Sequence, residues 1–203
     1  MSKNADRGYR AAKLGGLGAL ALAALVTGCA PDYVTDSAAS VNLIIASING
    51  GAQLDSDVRN GAESTFVCED EVEVAVAVRN KNPNGPVPTV PSAVLLKSYE
   101  VRYFRTDGRG TEGVDVPYRI TGNLAFAVDV AVSGTSNFPL EVVRRQAKVE
   151  PPLSSINQAA LLTVMAEVTL YGETVSGQKV SATGRMQIDF ADYGDTESSC
   201  PSK

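Results

Sequence analysis

The chain of 203 residues has no histidine, no tryptophan and only three cysteines. Without an imidazole there is no histidine-based nucleophile triad, no paired-histidine zinc site and no haem ligation by histidine. No other side chain titrates unperturbed near neutrality. Charge is sparse: 18 basic and 23 acidic residues make up 20% of the chain. Long apolar runs are missing as well. The run from Leu14 to Val26 is thirteen residues, about 20 Å as a helix, whereas a bilayer core asks for about 20 residues. No internal repeat, coiled-coil heptad or extended helix-period segment is present, which leaves strands as the material of the fold.

The short apolar run is preceded by Lys3, Arg7, Arg10 and Lys13 against a single Asp6, the layout of an export signal. Gly15, Gly16 and Gly18 weaken it as a helix. The run leads into Leu25-Val26-Thr27-Gly28-Cys29, which resembles the lipobox of bacterial lipoproteins. That resemblance implies cleavage before Cys29, a diacylglycerol on its thiol and an acylated amino group. Two or three chains anchor a protein where one holds it only marginally. The other reading of these residues is a soluble exported protein. Ala30 after the cysteine resembles the lipoproteins sorted to an outer membrane. The expected organisation is therefore a signal peptide over 1–28, a lipidated cysteine and tether over 29–39, one domain over 40–191 and a polar tail over 192–203. Removing residues 1–28 leaves 14 basic and 22 acidic residues, a net charge of −8. Nucleic acid and anionic headgroups both call for clustered cations, so neither is an expected partner. The membrane is to be reached through acyl chains, in a bacterial cell envelope.

The mature chain alternates with period two, the pattern of a strand with one buried face. Val72, Val74, Val76 and Val78 fall on one side of their segment. Leu124 to Val132, Leu162 to Leu170 and Val180 to Phe190 repeat the pattern. With Val41 to Ile48, Val94 to Arg105 and Phe138 to Val149 the count is seven strands, the segment 138–149 having the least clean pattern and offering the start of a short helix as its other reading. Turn-rich segments such as NGGAQLDSD and TDGRGTEG separate them. Sheets with one wet face and no helices must cover each other. The expected fold is all-β, a single antiparallel sandwich of immunoglobulin or fibronectin type. The run from Val74 to Asn84, ending Asn82-Pro83-Asn84, is similar to the strand-then-Asn-Pro-Asn signature of late-embryogenesis-abundant group 2 sandwich domains. Asn-Pro-Asn is also good turn chemistry in its own right, and no functional residue is carried over.

With Cys29 assigned to lipid, Cys68 and Cys200 are left, and an even remainder in an exported protein suggests that they bond each other, two free thiols being the other reading. Seven strands alternating in direction bring them to the same end of the sandwich. Among charged groups, Glu69, Asp70, Glu71 and Glu73 could offer oxygens to a cation, but the spacing fits no calcium loop and a solvated strand edge explains them. Asp55 and Asp57 read as turn residues. A serine–lysine nucleophile would need Lys81, Lys97, Lys148 or Lys179 buried beside a serine, and nothing in the sequence singles one out. Tyr99, Val101 and Tyr103 share a face and read as core. No catalytic constellation, cofactor motif or metal site is found. Binding residues usually sit on loops of a rigid scaffold. The candidate surface is the end away from the tether, around Arg105, Arg109, Asp55 and Asp57. The expected function is a noncatalytic envelope component presenting loops to a protein or a glycan. A lipoprotein binding a small ligand or a metal is the alternative.

Overall fold

The computed structural model describes residues 39–59, 66–82, 93–129, 134–157, 160–193 and 200. The leader, Cys29, the tether up to residue 38, Val130, Val132 and most of the tail lie outside the described residues. Eight strands form: β1 (Val41–Ile48), β2 (Leu54–Asp57), β3 (Asp70–Asn80), β4 (Val94–Phe104), β5 (Ile120–Val128), β6 (Ser136–Val143), β7 (Leu162–Thr174) and β8 (Lys179–Ala191). They build a three-stranded sheet in the order β1-β3-β6 and a five-stranded sheet in the order β2-β8-β7-β4-β5. The fold is the all-β sandwich that the alternation predicts.

The core lies between the sheets. Val72, Val74, Val76 and Val78 of β3 face Val94, Leu96 and Val101 of β4, Val164, Val168 and Leu170 of β7, and Ile188 and Phe190 of β8. All are buried. Burying one such side chain contributes about 1.5–3 kcal/mol, and β-branched residues suit a pleated surface. Tyr99, Val101 and Tyr103 point inward together, as expected. The Tyr103 hydroxyl crosses the core to donate to the Val142 carbonyl oxygen at 2.7 Å, joining β4 to β6.

The structure corrects the sequence reading in three places. First, the described residues form eight strands. Leu54–Asp57, read as part of a turn, pairs in parallel with β8, Leu54 opposite Ile188 and Asp57 opposite Ala191. Four residues holding two aspartates give no alternation long enough to detect. Asp55 and Asp57 are therefore strand residues. Second, the segment 138–149 does both things offered for it: β6 ends at Val143, and one helical turn, α1 (Arg145–Lys148), follows. Third, Asp70 does not belong to a solvated acidic edge. It starts β3 on the inward parity of Val72 and Val74, while Glu71 and Glu73 are exposed.

The extra strand leaves the alternation of strand direction intact, because β2 runs in the same direction as β1. The chain leaves β1, turns through Asn49–Gly51 and resumes as β2 in the other sheet. Strands β1, β4, β6 and β8 thus run from the end where the chain enters to the far end, and β3, β5 and β7 return. The far end carries loop 105–119, segment 144–161, Cys68 and Cys200. The entry end carries the β7–β8 turn, closed by Gly177 donating to the Thr174 carbonyl oxygen.

Candidate functional site

Inside the far end sits a buried polar node. Ser56 and Lys148 are 0% and 2% exposed. Ser56 Oγ donates to Asp70 Oδ2 at 2.6 Å, and Lys148 Nζ lies 3.1 Å from both oxygens of the same carboxylate. β2 supplies the serine, β3 the aspartate and α1 the lysine, so one carboxylate ties three elements. Burial pushes the Asp70 carboxyl above its ordinary range. The Lys148 charge and the hydrogen bonds from Ser56 and Lys148 pull it down without cancelling the burial, and Glu69 adds to the rise.

Lys148 is the buried lysine that a serine–lysine nucleophile would need, but the arrangement cannot act as one. Such a nucleophile requires a neutral amine accepting the serine proton. Here the ammonium and the serine hydroxyl both donate to Asp70, and Ser56 is closed to solvent. The node is a clamp. Beside it, Cys68 and Cys200 form a disulfide with Cα atoms 5.5 Å apart, at the end the strand parity assigns. The sequence carried half of the signal for the node, since Asp70 shares the parity of the β3 valines. The other half, Lys148, depends on a single helical turn.

The exposed part of the far end is dominated by loop 105–119, which is held at many points. Arg105 N–H donates to the Arg109 carbonyl oxygen at 2.9 Å, Gly113 N–H to Val116 at 2.8 Å and Asp115 N–H to Thr111 at 2.8 Å. Val116 is plugged wholly into the core. Asp107 sits between the arginines, with Arg105 Nε at 3.2 Å and an Arg109 guanidinium nitrogen at 2.8 Å. The side-chain and backbone hydrogen bonds from Arg109, with the charges of both arginines, hold the Asp107 carboxyl at about 2. Arg119 pairs with Glu112 at 2.8 Å. Gly113, at φ +75°, leaves room for the Tyr118 ring: a Cβ there would stand 2.3 Å from the phenolic oxygen. The loop is thus a preset platform from which Val114 (67% exposed) and Tyr118 (53%) project.

The four candidate binding residues divide into two groups. Arg105 and Arg109 share the platform. Asp55 and Asp57 stand at the other side of the sheet, three strand spacings from β4, about 14 Å at roughly 4.8 Å each. Asp57 is occupied structurally, since its Oδ1 accepts the N–H of Arg59 at 3.1 Å and of Tyr193 at 3.2 Å, fixing the chain on both sides of the parallel pair. Asp55 accepts from Gln53 Nε2 at 3.0 Å. Sequence reasoning missed the exposed apolar residues of this end, Val114, Tyr118, Val149 and Leu161. They fall in segments without period, where exposure has no sequence signature.

Two grooves mark the surface elsewhere. One, of about 550 Å³, follows the seam where the chain changes sheets beside Gly184. The other, of about 380 Å³, lies on the outer face over Gly122 between Tyr171 and Asn123. In the second, the Tyr171 hydroxyl lies 3.4 Å from a Glu100 carboxylate oxygen, beside Ser98 and Thr121. Among the described residues no group of three or more acidic or cysteine side chains is arranged to hold a metal ion. In comparisons with known proteins, no family model, no curated protein and no solved structure matches the chain.

Proposed function

We propose that the protein is a noncatalytic lipoprotein of a bacterial cell envelope, anchored through Cys29, that holds another envelope protein against the far end of its sandwich. The observation that carries this reading is the construction of loop 105–119. Preset loops lose little entropy on binding. Exposed aromatic and apolar side chains bordered by arginines match the composition of protein–protein interfaces, which favour Tyr and Arg. Val114 and Tyr118 supply the apolar part, Arg109 and Arg119 the border. Val149 and Leu161 add exposed apolar area at the same end. The lack of a nucleophile at the buried node supports a binding role, and the lipobox-like stretch before Cys29 supports the anchor.

The test is in-cell photocrosslinking from a photoreactive residue placed at Val114, at Tyr118 and, as a control, at Val175 in the β7–β8 turn. Discrete protein adducts at the first two positions and none at the third are expected. Equal adducts at all three, or none at 114 and 118, would contradict the binding end. The anchor is tested separately, since Cys29→Ser is expected to abolish fatty-acid labelling and leave the leader uncut.

A further inference from the structure

Away from loop 105–119, the outer face of the five-stranded sheet carries the groove of about 380 Å³ beside Tyr171. A bulge shapes it. The register of β4 shifts between Leu96 and Ser98 against both β5 and β7, so Lys97 is exposed, Ser98 half-buried and Tyr99 buried again. Unbroken alternation would turn Ser98 into the core; bulges re-aim side chains in this way. Ser98 stands instead on the outer face, in one row with Tyr171 of β7 and Asn123 of β5. Glu100 and Thr121 form the next row.

The free polar groups of the groove are uncharged. The Ser98 and Thr121 hydroxyls and the Asn123 amide make no hydrogen bond among the described residues; the bond from Arg144 goes to the Thr121 backbone carbonyl oxygen. Hydroxyl and amide groups both donate and accept. Glu100 offers no free charge, because its Oε1 accepts from Arg102 Nε at 2.8 Å and faces an Arg119 guanidinium nitrogen at 3.5 Å. Its Oε2 accepts from the Tyr171 hydroxyl at 3.4 Å, which steadies the ring. Tyr171 is 41% exposed, and a tyrosine ring combines an apolar body with a polar tip.

We infer that this groove binds a neutral oligosaccharide whose pyranose rings carry equatorial hydroxyls, one ring stacked on Tyr171 and its hydroxyls bonded to Ser98, Thr121 and Asn123. Equatorial hydroxyls leave the axial C–H bonds as an apolar face for the aromatic ring. Around the rim they donate and accept, as the three side chains do. A charged ligand finds no such match, since the carboxylate of the groove is already countered by arginines within the chain. From Tyr171 to Asn123 is two strand spacings, about 10 Å at roughly 4.8 Å each, which suits a row of linked rings better than a single sugar. The groove shares no residue with loop 105–119, so sugar binding and partner binding are separate properties of the sandwich.

The test is saturation-transfer NMR of the full chain in a zwitterionic detergent without a sugar headgroup. Cellotetraose and N-acetylated chitotetraose are the neutral probes, and tetragalacturonate is the charged one. Transfer to the axial ring protons of at least one neutral probe, stronger than any to tetragalacturonate, is expected. Tyr171→Ala should abolish it and Tyr171→Phe should keep it, because stacking needs the ring and not the hydroxyl. Asn123→Ala, at an exposed position, should weaken it several-fold at an unchanged melting temperature. Tyr193→Ala removes another exposed ring, outside the groove, and should leave transfer as it is. No transfer to either neutral probe, stronger transfer to tetragalacturonate, or undiminished transfer in Tyr171→Ala or Asn123→Ala would each overturn the inference. Loss of transfer in Tyr171→Phe or in Tyr193→Ala would overturn it as well.

Discussion

Two aspartates at the far end hold basic partners at similar distances, Asp70 with Lys148 at 3.1 Å and Asp107 with Arg109 at 2.8 Å, yet their carboxyls move in opposite directions. Asp107 stands in solvent, where desolvation is slight, and the arginines hold it at about 2. Asp70 is enclosed, and burial raises it in spite of the ammonium. The comparison teaches that surroundings, more than pairing, set what an ion pair does. A buried pair must stay intact because each charge without its partner is costly in the interior. An exposed pair shapes a loop and adds little stability. The far end is thus locked inside and preset outside, the arrangement on which the proposed binding role rests.

The largest effect is expected from opening the lock covalently. The disulfide spans a sequence separation of 132 residues, and chain entropy for a loop of that length gives up to about 5 kcal/mol. Cys68→Ser with Cys200→Ser should lower the urea midpoint accordingly, and an unchanged midpoint would remove the disulfide from the lock. Next comes Lys148→Met, which leaves Asp70 unpaired in the interior and should cost about 3–5 kcal/mol. Adding Asp70→Asn should recover much of that, so a double-mutant cycle in urea reads the coupling directly. Additive single effects would show that the node is not a unit.

The pH dependence of that variant sharpens the point. A carboxyl raised in the folded state binds its proton more tightly there than in the unfolded chain. Its contribution favours folding at low pH and is lost as pH rises through the raised value. Removing the lysine raises the carboxyl further, so the deficit of Lys148→Met should shrink on acidification; a deficit that grows would contradict the assignment. The smallest effect on stability is expected outside. Arg109→Gln should leave the melting temperature unchanged while thinning the adducts formed from Val114 and Tyr118, and a large fall in melting temperature would make Arg109 part of the lock.

Much of the frame was legible in the sequence. Alternation in Val72 to Val78 and Val180 to Phe190 marked strands whose apolar faces are buried as expected, although Ala75 and Ala77, on the side of β3 expected to be wet, are buried as well. Strand parity brought Cys68 to Cys200, because β2 continues in the direction of β1 and leaves the parity intact. Much of the site was not legible. Ser56 lies in a strand too short to show a period, and Lys148 reaches Asp70 only because one turn of helix folds back over the end of β6. The loop arginines were visible as charges, but the bonds that fix them depend on Gly113 at positive φ and on Val116 entering the core. Period and composition report which face a residue takes; they do not report which distant side chain it meets.

The claim that burial rather than pairing divides the lock from the platform is tested most directly by following both carboxyl carbons through an NMR pH titration of the folded protein. The account predicts that Asp70 titrates above the ordinary carboxylate range and Asp107 near 2. Two carboxyls that both titrate below the ordinary range would contradict it.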